Sequence, residues 1–272
     1  MTRVVLFTGI AGLLFGCGGN LAPPPLRSFN YGAPTTPDPS QQSTAYSAQS
    51  SMNSILSSPG NTSSASAAPT VTDTLATSLP YALLSEPMNA LPGTSSVAVA
   101  NAGRDGLLQS LRSPALQADC AKVANNSITY DHCTYSSSGY SGTLEGSITV
   151  AANSVSWDIT FTFSISTQGV SGNGYYNWKG QIAWTATTIT GNGRSAFTVH
   201  ASGNGQSADL ASTTGIDLNL TYESSPSFCI TGGTLEIRRV VASSGGAENV
   251  MKDAAIKFTW NGCGNVTVAT GT

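Results

Sequence analysis

From Ser127 onward the chain alternates apolar and polar residues over runs that only a large β-sheet accommodates. Val155, Trp157, Ile159, Phe161, Phe163 and Ile165 interleave with Ser154, Ser156, Asp158, Thr160, Thr162, Ser164 and Ser166. A side-chain period of two places the first set on one side of an extended backbone and the second on the other. At the usual rise this run reaches roughly 40 Å. Leu144, Gly146, Ile148 and Val150 precede it in the same pattern. Tyr176, Trp178, Gly180, Ile182 and Trp184 repeat it, followed by Phe197, Val199 and Ala201, then Ile216, Leu218, Leu220 and Tyr222. Leu235, Ile237 and Val241, and finally Ile256, Phe258 and Trp260, complete the series. Strands with one apolar face, joined in sequence by short loops, predict an antiparallel meander of about eight or nine strands. Gly-Asn-Gly at 172–174, 191–193 and 203–205 closes alternating runs and is read as hairpin turns.

A sheet this wide with one oily face must curl around a covering element or split into two layers. The expected class is therefore mainly β: a curved sheet or half-barrel over residues 127–272 with a short helical region packed on it. A β-sandwich is the alternative. The cover is expected from residues 73–126, where Leu75, Leu79, Leu83 and Leu84, then Leu107, Leu108, Leu111 and Leu116, fall at helical spacing around Pro80 and Pro114.

Ahead of that region, residues 18–72 carry two charges, Arg27 and Asp38, and eight of the 13 prolines. Serine, threonine, alanine, glycine and glutamine dominate the rest. Such a composition offers too little apolar surface to offset the entropy of ordering it. Residues 17–72 are read as a disordered tether with an r.m.s. span of roughly 40 Å and a contour near ~200 Å.

Residues 1–16 have the form of a secretory signal, with Arg3 at the charged end and an apolar run over 4–15. The run is short of the ~20 residues a spanning helix needs. Leu14-Phe15-Gly16-Cys17 then resembles the lipobox of bacterial lipoproteins: Gly16 is the small residue before the cysteine, and Phe15 departs from the pattern one step earlier. The resemblance implies cleavage before Cys17, which becomes the mature N-terminus and carries palmitate-type acyl chains. Several chains on one residue hold firmly where one would not. In that family an aspartate after the cysteine retains many members at the inner membrane; Gly18 stands there instead, which implies the outer membrane.

The other four of the 5 cysteines, Cys120, Cys133, Cys229 and Cys263, allow three disulfide connectivities in an exported protein. Cys229 precedes the run 234–241 and Cys263 follows the run 255–261. If those runs form a hairpin, both cysteines lie at its open end, and Cys120 is left to join Cys133. Neither a Cys-x-x-Cys pair nor clustered histidines suggest a metal site, and no cofactor is expected.

Catalytic signals are sparse. The only histidines are His132 and His200, and no Gly-x-Ser-x-Gly elbow occurs. Glu145, Asp158, Asp217, Glu223 and Glu236 fall on the polar parity of their strands and read as solvated charges. The glycine pattern at 191–196 leads into an alternating run and not a helix, so it does not read as a phosphate site. A net charge of −3, or −4 once Arg3 is removed, supplies no basic patch for nucleic acid. Two residues break parity. Arg239 shares the apolar parity of Ile237 and Val241, and a bulge at Arg238-Arg239 that turns both outward is the expected resolution. An inward Arg239 near a cavity mouth could instead meet an anionic headgroup. His132 shares parity with Ile128 and Tyr130 and is expected as a hydrogen-bonded core histidine, with ligand binding as the alternative.

These features predict a lipid-anchored envelope protein of the outer membrane that is not an enzyme and acts by binding or as structure. Its partners are membrane lipid through Cys17 and an amphiphilic ligand or another envelope protein. The alternatives are a carrier holding an amphiphile in a half-barrel cavity and, below it, a hydrolase.

Overall fold

A computed structural model of the chain describes residues 21–57 and 120–272, except 125, 138–139, 168–169, 204–205 and 245–249. Among the described residues ten strands follow one helix: α1 (Pro39–Ser57), β1 (Ala121–Ala124), β2 (Ser127–Ser137), β3 (Tyr140–Ala151), β4 (Ser154–Thr167), β5 (Val170–Trp184), β6 (Thr188–Gly203), β7 (Gln206–Glu223), β8 (Cys229–Ser244), β9 (Val250–Trp260) and β10 (Val266–Gly271). The strands form one sheet in the order of the sequence, every neighbouring pair antiparallel. This is the expected meander, with one layer and not the two of a sandwich. Residues 121–124, expected at the end of a helical region, pair with Tyr130 to Ser127 as a first short strand. The leucine-rich positions between 73 and 119 lie outside the described residues.

Parity sorts the sheet as the alternation requires. Val155, Trp157, Ile159, Phe161 and Phe163 are buried on one face, and their neighbours Ser156, Asp158, Thr162 and Ser164 are exposed on the other. All four tryptophans, Trp157, Trp178, Trp184 and Trp260, sit in that apolar core. Two of the Gly-Asn-Gly triplets are not turns: 172–174 lies inside β5 and 191–193 inside β6. Within β5 the glycines leave the space that aromatic rings need. Gly174 lies opposite Phe163 and Gly180 opposite Trp157, and a Cβ at either glycine would come within 2.5 Å of the ring across from it. The third triplet begins at Gly203, where β6 ends.

The largest departure concerns residues 21–57. They were expected in a tether, yet they pack on both faces of the sheet. Asp38 caps α1: its Oδ1 accepts hydrogen bonds from the Ser40 and Gln41 amides at 2.8 and 2.9 Å, and Gln41 Oε1 accepts one from the Asp38 amide at 2.9 Å. This is a capping box with Pro39 at the first helical position, where a missing N–H costs nothing. Ala45, Ala48, Met52 and Ile55 follow at helical spacing, and all four join the same core as the apolar face of the sheet.

Before the helix, residues 30–35 pair antiparallel with β10. Tyr31 faces Gly271, Thr35 faces Val268, and Thr35 exchanges backbone hydrogen bonds with Val268 at 2.7 and 2.9 Å. Earlier still, the chain lies on the polar face of β7 to β10. A Cβ at Gly215 would fall 2.5 Å from Leu26 Cδ1, so the leucine occupies the room that the glycine leaves. Arg27 pairs with Asp253 at 3.0 Å, and the Tyr31 hydroxyl donates to Glu236 at 2.7 Å. We call residues 21–35 the arm. Composition predicted disorder because it counted too few apolar residues. A few large side chains suffice where the sheet presents small ones, here Ala211, Thr213, Gly215, Ala255 and Gly271.

Candidate functional site

Cys120 is bonded to Cys133 and Cys229 to Cys263, each with Cα atoms 5.6 Å apart. The first bond fastens β1 to β2 at one margin of the sheet. The second joins the start of β8 to the β9–β10 turn, as the open end of a β8–β9 hairpin requires. Cys17 lies outside the described residues.

Arg239 is turned into the apolar face. The register runs without interruption through Gly215 opposite Arg238 and Thr214 opposite Arg239, so the expected bulge is absent and strict alternation separates the two arginines. Arg239 is 1% exposed, and its Nε donates to Thr214 Oγ1 at 3.0 Å. Ser195, opposite Thr214, and Ser212 are buried on the same face. A guanidinium is tolerated in a core only inside such a polar patch. Arg238 points the other way, where it pairs with Asp217 and Glu236 beneath the arm. Asp217 and Glu236, expected as solvated charges, therefore belong to a half-buried network that reaches Tyr31. Burial raises the Tyr31 hydroxyl above its ordinary pKa, and the hydrogen bond to Glu236 raises it further.

His132 is not a core residue. A register shift between Tyr130 and Cys133 forms a bulge there, and His132 adopts φ 52° with its side chain 77% exposed. Its Nδ1 lies 2.9 Å from Asp131 Oδ1 and its Nε2 3.1 Å from Glu145 Oε1. With a carboxylate at each ring nitrogen, the imidazole offers no free lone pair to a substrate proton. A second cluster, which parity alone did not single out, joins three strands: His200 Nδ1 lies 2.7 Å from Asp209 Oδ1, and the Ser244 hydroxyl donates to Asp209 Oδ2 at 3.2 Å. A hydrolytic triad places the serine on the histidine. Here the serine is on the carboxylate, so the arrangement fixes the positions of three side chains.

The exposed polar face of β3 to β6 carries two shallow grooves. One, of about 530 Å³, is lined by Thr143, Thr162, Ser164, Asn173, Tyr175 and Thr198. The other, of about 310 Å³, holds the Asp158–Lys179 ion pair at 2.8 Å beside Gln181 and Asn192. Hydroxyls and amides on such a surface can hydrogen-bond a neutral polar partner.

The chain matches no family model, no curated protein and no solved structure.

Proposed function

We propose that this chain is an envelope lipoprotein, anchored in the outer membrane by acyl chains on Cys17, whose β domain acts without catalysis, by binding or as structure. The observation that carries the reading is the use of cysteine. Four of the five are consumed in two intramolecular bonds, which leaves Cys17, at the end of an apolar signal-like run, as the odd one. One histidine ring is engaged by two carboxylates, and the other lies on Asp209, whose second oxygen accepts from Ser244, an arrangement that suits a surface which orients polar side chains. The Ser/Thr/Asn grooves are the surface that suits another envelope component. Carriage of an amphiphile has less support, because the aromatic residues of the apolar face are buried in one core that α1 joins.

The test is attachment. Wild-type protein should incorporate labelled palmitate and sediment with membranes, whereas Cys17→Ala should lose the label and move to the soluble fraction. A Cys17→Ala protein that still sediments like wild type overturns the anchor.

A further inference from the structure

We infer that the β domain is held directly on the bilayer by a leash of a few residues, with the end of the sheet at which β9 begins turned toward the lipid. The inference rests on the acylation of Cys17 proposed above and adds to it a distance and a direction.

The distance follows from where the arm starts. Leu21 is already half-buried, and Pro24 is buried. Three residues, Gly18 to Asn20, separate Cys17 from it. Four Cα steps of fully extended chain reach no more than ~14 Å. A disordered tether over residues 17–72 would have allowed the domain to roam several times that distance. Because residues 21–57 are spent on the sheet, no such reach exists between anchor and domain.

The direction follows from the arm's successive contacts. Thr35 bridges Val268, which lies opposite Phe258 of β9. Tyr31 bridges Gly271, opposite Ala255. Arg27 then reaches Asp253 and Met251. Followed back toward Cys17, the contacts of Thr35, Tyr31 and the Arg27 side chain move along β9 from Phe258 to Met251, toward the strand's first residue. Leu26 lies across the sheet at Gly215, level with Ala255. Thr213, Val240 and Ala211, on the polar face at the level of Asp253 and Met251, are buried at 0–1%. At that end Met251 is 41% exposed beside the Arg27–Asp253 ion pair, an apolar group flanked by polar ones that suits the headgroup layer of a bilayer. Asn261, ten residues further along, stands about 33 Å away.

The experiment places the acylated full chain in vesicles of phosphatidylethanolamine and phosphatidylglycerol that contain a headgroup-labelled nitroxide lipid. A fluorophore is attached at Met251→Cys or, separately, at Asn261→Cys or Asn265→Cys, the native cysteines being occupied by acylation and disulfides. Emission at 251 should be largely lost and emission at 261 and 265 retained. A flexible Gly/Ser insertion of ~30 residues between Gly19 and Asn20, with an r.m.s. span of ~30 Å, should restore emission at 251. Equal quenching at both ends, or quenching at 251 that survives the insertion, overturns the short leash. Stronger quenching at 261 and 265 than at 251 reverses the assigned direction and overturns that part. Wild-type protein that carries no acyl chain and stays free of vesicles refutes the anchor itself, an outcome distinct from either.

Discussion

His132 is held in an exposed bulge between two carboxylates, and its charge state follows from that geometry. The hydrogen bond to Asp131 is the largest influence and the field of Glu145 the next; together they raise its pKa above the ordinary 6.5. The same contact lowers the pKa of Asp131. A folded-state pKa above the unfolded one means that the contacts favour the folded chain fully below pH ~6.5 and lose that contribution as pH rises through the raised value. Titration of the His132 ring by NMR should give a midpoint higher in folded protein than in urea, and His132→Gln should remove that part of the pH dependence of stability. A folded midpoint at or below the unfolded one would show that the ring makes neither contact in solution. The bulge was not legible in the alternation, because Tyr130 and Cys133 are both buried although they differ in parity, and only the added residue reconciles them. Arg239 is the opposite case. Its parity pointed inward, and the cost of burying a charge argued for a bulge that Thr214, Ser195 and Ser212 make unnecessary.

Helix α1 shows how little apolar surface an element needs when a sheet supplies the rest. Its serine-rich sequence has weak intrinsic helix propensity, so its stability comes from Ala45, Ala48, Met52 and Ile55 against the strands. Its start was legible: Asp38-Pro39-Ser40-Gln41 is a capping box with proline at the first position. Surrounding low complexity hid it, because composition averages over a segment whereas burial depends on a few positions. Met52→Ala removes a fully buried side chain and should cost about 2–5 kcal/mol, read from the urea midpoint. Protease cleavage within Pro39–Ser57 should appear in that variant at lower denaturant than in wild type. If the helix were a loose appendage, the substitution would leave the midpoint unchanged. Within the strands, the triplet ending at Gly174 carried turn-forming composition, yet Gly174, like Gly180, serves as steric relief for the ring opposite it, Phe163 and Trp157 respectively. Local propensity cannot report an aromatic ring on the neighbouring strand.

An open meander must protect two edges, and the chain treats them differently. Pairing of residues 30–35 with β10 covers one edge; β1 lies at the other, short and fastened by Cys120–Cys133. The bonds close loops with sequence separations of 13 and 34. The chain-entropy model gives roughly 3 and 3–4 kcal/mol, each a large part of a typical net stability of about 5–15 kcal/mol. Reduction should therefore lower the melting temperature, with hydrogen exchange accelerating first in β1 and β10 and last in β5 and β6. Simultaneous loss of protection across all ten strands would place the staples' effect on the whole sheet and not on its margins. The class of fold, the apolar face, the strand order and the disulfide pairs were all legible in the linear pattern. The reason is that alternation in an extended chain separates the two faces, and short connections leave consecutive strands no other neighbours. What lies on those faces was decided by the folded molecule alone. Tyr31 meets Glu236 across 205 residues of sequence, Leu26 fits the space above Gly215, and α1 joins the aromatic core. Each depends on a shape complementarity between distant segments, which has no periodicity of its own and exists only once the sheet has formed.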